Sequence, residues 1–211
     1  MGCFPLFIEL AGRPCLVAGG GKVALRKVQK LLPFGPHITV VAPSVCPQLA
    51  AVPGVRFVRR RVRPADLRGQ ALVIAATDNA GMNRRIAAAC RARHIPVNVV
   101  DNPDAGSFIF PALARRGPLT VGVCTGGASP VAAAWVKRQI EAVLPEETFG
   151  PILTWLADCR QPVKAALASE TTRAALFARL FDTCMEKGRP LTDEEFAALL
   201  DQAKTEENTH G

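Results

Sequence analysis

Three groups of residues in this chain have the types and spacing to do chemistry. The first is Gly19-Gly20-Gly21-Lys22-Val23-Ala24, which follows the apolar run Cys15-Leu16-Val17-Ala18 and continues into Lys27, Val28 and Leu31 at helical spacing. That is a strand, a tight turn and a helix start. Gly19, Gly21 and Ala24 fit G-x-G-x-x-G/A, the turn that binds dinucleotides. Gly19 lets the backbone turn sharply, Gly21 lets a pyrophosphate approach without a Cβ in the way, and Ala24 lets helix and strand pack closely. The free N–H groups and positive dipole end of the helix would then face the phosphates. The blander reading is a glycine turn that only joins strand to helix. The alternation of strands and helices that continues beyond it favours the dinucleotide.

The second group centres on Asp101. It follows Pro96-Val97-Asn98-Val99-Val100, a run suited to a buried parallel strand, and so lies at the carboxyl edge where open α/β sheets bind ligands. A carboxylate there can take a proton from a bound molecule; it can also cap its own loop. The third group is Thr125-Gly126-Gly127-Ala128-Ser129-Pro130. Ser129 as N-cap with Pro130 at the first helical position starts a helix to about Leu144. Its glycine turn either holds a carboxylate or phosphate on the helix N–H groups or simply joins two elements.

Elements must position these groups. Residues 4–10 form a short apolar segment ending in Gly12-Arg13-Pro14, and strands are expected at 15–18, 37–41, 55–58, 72–76 and 96–100. The first helix stops at Pro33 with Gly35-Pro36 as breaker, and Thr77-Asp78-Asn79 caps another to about Arg93. The second strand ends in Ala42-Pro43-Ser44, where a dinucleotide fold usually carries an acid for the adenine ribose hydroxyls. No Arg stands there for a 2′-phosphate either, so Ser44 and nearby backbone must contact the ribose, and NAD against NADP stays open. Arg59, Arg60, Arg61 and Arg63 form a solvated rim or attract an anion. Beyond Asp101, Phe108-Ile109-Phe110 and Leu119 to Cys124 read as strands. From Phe149 onward only helical patterns remain, at 151–160, 162–168, 171–187 and 193–204. Thr192 and Glu195 make a capping box, and residues 205–211 should fray.

Composition narrows the partners. A net charge of +8, from 26 basic and 18 acidic residues, favours polyanions. No basic stretch is interleaved with aromatics and tyrosine is absent, so nucleic acid is not an expected partner. Seven scattered cysteines, without C-x-x-C or zinc spacing, suit reduced and mostly buried thiols, and no metal ligand set is expected. The start lacks a basic region and carries Glu9, and no apolar run approaches a membrane span. A cytoplasmic protein without membrane attachment is expected.

Six motifs in order carry a resemblance. These are residues 17–27, Thr39-Val40-Val41-Ala42-Pro43, Ala75-Ala76-Thr77-Asp78 followed by Asn83, Asn98-Val99-Val100-Asp101, Phe108-Ile109-Phe110-Pro111-Ala112, and residues 125–130. Together, over about residues 1–145, they resemble the precorrin-2 dehydrogenase family, which also forms the amino-terminal part of siroheme synthase. The resemblance implies an α/β fold: a Rossmann-like parallel-sheet domain (1–112), a dimerisation segment (113–147) and an all-helical domain (148–211). It implies oxidation of precorrin-2 to sirohydrochlorin with NAD⁺ by a homodimer. Gly19, Gly20, Gly21, Lys22, Val23, Pro43, Ser44 and Thr77 would line the cofactor site. Asp101 would be the acid/base residue, and Thr125, Gly126, Gly127 and Ser129 would meet the substrate. The anionic macrocycle also suits the positive charge. Some family members insert ferrous iron as well, and Asp101 could serve both steps. A regulatory domain that binds NAD without turnover and a nucleic-acid-binding protein are the competing classes. NADH formation from precorrin-2 and a salt-dependent DNA shift separate them.

Overall fold

A computed structural model describes residues 3–100 and 102–210; Asp101, the expected acid/base residue, lies outside them. The chain divides into two compact units, residues 1–110 and 111–211.

The first unit alternates strand and helix: β1 Pro14–Ala18, α1 Lys22–Leu31, β2 His37–Val41, α2 Pro47–Ala50, β3 Arg56–Val58, β4 Leu72–Ala75, α3 Ala80–Arg91 and β5 Val97–Val99. The strands form one parallel sheet in the order β3-β2-β1-β4-β5. Their short, β-branched runs are apolar on both faces because both faces are covered. Leu16, Ala18, Val73, Ala75, Val97 and Val99 pack on Ile86, Ala87 and Cys90 of α3. Cys15, Val17, Ile38, Val40, Leu72 and Ile74 pack on Ala24, Val28 and Leu31 of α1. The breakers act where expected. A 3₁₀ turn at Leu32–Phe34 contains Pro33, and Gly35 leaves it in the left-handed region at φ 69°.

The second unit opens with a hairpin, β6 Ala112–Arg116 and β7 Leu119–Val123, turning on Gly117 at φ 55°. The strand expected at Phe108–Phe110 is not formed. Phe108 and Phe110 instead contribute side chains to the core on the α1 face of the sheet. The antiparallel ladder falls on Ala112–Arg116, whose two arginines mask it in the sequence. Arg116 then reaches the end of α4 (Pro130–Val143), donating to the carbonyls of Leu144 and Glu141. A cation on those last carbonyls complements the helix dipole.

Four further helices follow: α5 Glu146–Asp158, α6 Arg160–Ala166, α7 Glu170–Lys187 and α8 Asp193–His210. They close on Ile152, Val163, Leu167, Leu176, Leu180 and Cys184. Helix α5 starts a turn before the expected Pro151, because Glu146 and Glu147 favour the positive end of the dipole. Helix α8 does not fray after Lys204. The Glu207 carboxylate accepts from the N–H groups of Ala168 and Ser169 at 3.2 and 2.6 Å, tying its last turns to the start of α7. Cys15, Cys90, Cys159 and Cys184 are buried, and all seven thiols are free. Burial pushes the first three of those buried thiols up to about 11. No helix among the described residues is long and apolar enough to cross a membrane.

The capping box closes as read: Thr192 N–H donates to Glu195 Oε2 at 2.8 Å and Glu195 N–H to Thr192 Oγ1 at 3.3 Å. Arg189 adds two bonds of 2.9 Å to the same carboxylate and Lys187 one of 2.8 Å. These cations, Arg189 foremost, hold Glu195 well below the usual carboxylate range. A carboxyl lowered on folding stabilises the fold above its unfolded value of about 4.3, and that contribution fades as pH falls below it through the folded value. Glu195→Gln should therefore melt below the parent at pH 7, with the gap narrowing on acidification. A gap independent of pH in thermal melts would assign the loss to packing instead.

Candidate functional site: a glycine-lined helix terminus

At the carboxyl edge of the sheet, the loop after β1 is wedged between the loops after β2 and β4. Gly19 has φ 126°, and a Cβ built there would lie 2.1 Å from the Ala76 carbonyl oxygen. A Cβ on Gly20 would lie 1.9 Å from the Ser44 oxygen. Backbone bonds lock the wedge: Gly19 N–H to Val41 O at 3.1 Å, Cys46 N–H to Gly20 O at 2.8 Å, and Ala76 N–H to Ala18 O at 2.8 Å. Gly20 occupies an "x" of the fingerprint, yet the Ser44 carbonyl requires it to be glycine.

Gly21 differs from both. It is exposed, its backbone is extended, and nothing lies within 4 Å of where its Cβ would be. It is the N-cap of α1, and the helix has neither a capping side chain nor an acid in its first turn. The N–H groups of Lys22, Val23 and Ala24 have no acceptor within the helix; the first intrahelical bond runs from Leu25 N–H to Gly21 O at 3.0 Å. Unpaired donors, a positive dipole end and a bare Gly21 form a cradle that fits a pyrophosphate. Lys22 is exposed beside it, while Ala24 is fully buried against the sheet. The cradle lies beside the gap between β1 and β4, where the strand order reverses direction. Open α/β sheets place their ligands at that switch point.

Pro43 and Ser44 follow β2 and are exposed, with the carbonyl of Ser44 committed to the Gly20 contact. Thr77 adjoins the Gly19 turn, but its hydroxyl is engaged: it donates to Asn83 Oδ1 at 2.6 Å and accepts from Asn79 N–H at 3.3 Å. Asn83 also accepts from Thr77 N–H at 3.1 Å and donates to Thr77 O at 3.0 Å. Asn83 is 5% exposed and acts as the clamp that sets the loop after β4. Nothing in its motif marks that role in the sequence. The available signal was a polar residue on the stripe that it shares with Ile86, Ala87 and Cys90.

The surroundings of position 101 are pinned on both sides. Val100 N–H donates to Ala75 O at 3.0 Å. Ser107 bonds Val97 through both its N–H and its Oγ, and Asn98 Nδ2 donates to Phe108 O at 3.1 Å. In the second unit, the hydroxyls of the other glycine turn serve that turn itself. Thr125 Oγ1 accepts from Ser129 N–H and donates to Ser129 O, both at 3.1 Å, and Ser129 Oγ accepts from Ala132 N–H at 3.1 Å. Gly126 and Gly127, at φ 63° and 89°, are exposed. Within the arginine cluster, Arg60 grips Asp66 with two bonds of 2.7 Å and holds its carboxyl below the usual range. Arg59, Arg61 and Arg63 are exposed just beyond β3.

Two adjacent glycines should respond in opposite ways. Gly20→Ala forces two backbones apart and should cost about 1–3 kcal/mol of stability by overpacking, read in denaturant unfolding. Gly21→Asp meets open space, so the fold should survive while NAD(H) binding is lost to a like charge in the pyrophosphate's place. Calorimetry showing unchanged dinucleotide affinity for folded Gly21→Asp would refute the cradle.

Residues 6–112 match the family described as putative NAD(P)-binding, and residues 116–142 match the sirohaem biosynthesis protein central family. The siroheme synthase of Thioalkalivibrio sulfidiphilus is 40% identical over 185 residues, 86% of this chain and 38% of the relative. That of Methylobacillus flagellatus is 41% identical over 184 residues, covering 86% of this chain and 39% of its own length. The chain thus spans about two fifths of the length of these curated relatives. A solved structure, SirC, precorrin-2 dehydrogenase, superimposes with a TM-score of 0.76 at 26% identity, over 96% of this chain and 100% of that one. With an NAD(P)-binding region over half its length and the sirohaem central region behind it, the chain belongs to the precorrin-2 dehydrogenase family, which includes the amino-terminal region of siroheme synthase.

Proposed function

We propose that this chain oxidises precorrin-2 to sirohydrochlorin with NAD⁺ as hydride acceptor. The observation that carries the reading is the uncapped, glycine-lined start of α1 at the switch point of the sheet, in a chain of this family. The N–H groups of Lys22, Val23 and Ala24 hold the pyrophosphate, Gly21 leaves room for it, and Pro43 and Ser44 border the adenine ribose. The β2 end Ala42-Pro43-Ser44 carries no cation of its own, but exposed Arg59 follows the neighbouring β3 at the same edge, so NAD⁺ rather than NADP⁺ is taken from the family resemblance. When bound, the nicotinamide supplies the hydride-accepting chemistry.

Two hydrogens leave the macrocycle, one as hydride and one as a proton. Asp101, two positions past β5, is the base for the proton. Val97, Asn98 and Val100 are hydrogen-bonded to Ser107, Phe108 and Ala75 respectively. Thr125, Gly126, Gly127 and Ser129 present a turn to substrate carboxylates, and the exposed arginines add long-range attraction that salt would weaken. The free thiols suit a reducing, cytoplasmic setting.

Residues 113–147 form the dimerisation segment in this reading. On α4, Val131, Trp135 and Val143 are 76, 55 and 75% exposed, apolar side chains that a second copy would cover. A dimer at micromolar concentration is expected in sedimentation, and a stable monomer would contradict it.

Asp101→Asn preserves shape and removes the base. Turnover, followed as NADH formed under saturating precorrin-2, should fall by about 10²–10⁴ while NAD⁺ affinity changes little. Near-normal turnover in a folded variant would take Asp101 out of the mechanism, since Asn can replace Asp as a loop cap.

A further inference from the structure

The opposite, amino-terminal edge of the same sheet carries a second cleft. It has a volume of about 560 Å³ and lies where β1, β4 and β5 begin, with Pro14, Ala71 and Ile95 in its wall. The glycine loop leaves the other end of β1, roughly 13 Å away at the rise of a parallel strand, so the cleft cannot be part of the dinucleotide cradle. Arg13, Arg68, Arg93 and His94 line it, and no carboxylate among the described residues does. Arg13 and Arg93 each spend one N–H on a local backbone carbonyl, of Glu9 and Ala89, which leaves further donors on both guanidinium groups.

Two observations mark the cleft as more than a basic rim. Gln70, also in its lining, donates through Nε2 to Asp66 O at 3.1 Å, but its Oε1 is buried and has no hydrogen-bond partner. A buried acceptor left unpaired costs free energy that a donor brought by a ligand would recover. His94 is the one non-glycine residue among those described with positive φ, at 55°. It stands just past the end of α3, where its N–H bonds Arg91 O and where glycine is the usual occupant. A side chain is kept there despite the backbone penalty, and it lines the cleft.

We propose that this cleft binds a small polyanion that also carries a hydroxyl group. Its negative groups pair with Arg13, Arg68, Arg93 and His94, and its hydroxyl donates to Gln70 Oε1 as that side chain turns toward the cleft. Carboxylates and phosphate esters share that chemistry, since guanidinium forks match both. The ligand binds without competing for the cradle, because the two sites occupy opposite ends of β1 and β4.

The test is calorimetry on the full chain with three probes. Citrate has three carboxylates and a hydroxyl, tricarballylate is the same acid without the hydroxyl, and 2-phosphoglycerate offers a phosphate ester beside a hydroxyl. Citrate or 2-phosphoglycerate should bind one to one, and the tighter of the two names the anion class. The double variant Arg68→Ala, Arg93→Ala should weaken that binding about tenfold or more while leaving NAD⁺ affinity unchanged. Gly21→Asp should leave it intact. Tricarballylate should bind about fivefold or more weakly than citrate, and Gln70→Leu should erase that difference. No saturable binding of citrate or 2-phosphoglycerate, or binding lost in Gly21→Asp but kept in the double arginine variant, would overturn the proposal.

Discussion

Two carbonyl oxygens, of Ser44 and Ala76, occupy the space where side chains at positions 20 and 19 would have to be. The rest of the first unit depends on that contact. It draws the loops after β2 and β4 onto the loop after β1, so three strand ends converge on one helix start. Only glycine allows it, because the clashing atoms are backbone and cannot move without shifting a strand. Gly21, one residue later, faces open space for a different purpose. Consecutive glycines thus differ: two meet backbone carbonyls, and one faces the open space in which the proposed pyrophosphate would lie.

The treatment of helix ends shows the same division. Asn79, Ser129 and Ser169 cap α3, α4 and α7 with side-chain oxygens, and α8 has its Thr192–Glu195 box. Helix α1, like the short α2 and α6, opens with no capping side chain and no acid in its first turn. Leaving donors unpaired costs stability, and the buried packing of Ala24, Val28 and Leu31 offsets it. Stability forgone at the glycine-lined start of α1 is available to a bound anion. Elsewhere, charged side chains hold distant termini together, with Arg116 on the end of α4 and Glu207 on the start of α7.

Polar groups inside the first unit set loops rather than strands. Asn83 holds the Thr77 loop from α3, and Asn98 holds Phe108 from β5. Both are buried; Asn83 bonds through both ends of its amide, whereas Asn98 donates through Nδ2 and leaves its buried Oδ1 without a partner among the described residues. Each lies near the carboxyl edge, so these buried hydrogen bonds shape the rim around the cradle. Thr77 illustrates the consequence. Its hydroxyl bonds Asn83 and keeps the rim in place beside the cradle.

Local physics made much of this legible in the amino-acid order. Apolar β-branched runs, the glycine turn, Pro33 with Gly35, Ser129 with Pro130, and Thr192 with Glu195 all act within a few residues of themselves. The parallel sheet and the uncapped start of α1 follow from such signals. Contacts between residues far apart in sequence were decided only by the tertiary structure. Gly20 is required by Ser44, α8 is extended by Glu207 reaching Ala168 and Ser169, and the strand after Phe110 is set by its partner across Gly117. A period of apolar residues reports which face is buried but not which distant carbonyl or carboxylate will meet it. Those partners exist only once the chain has folded.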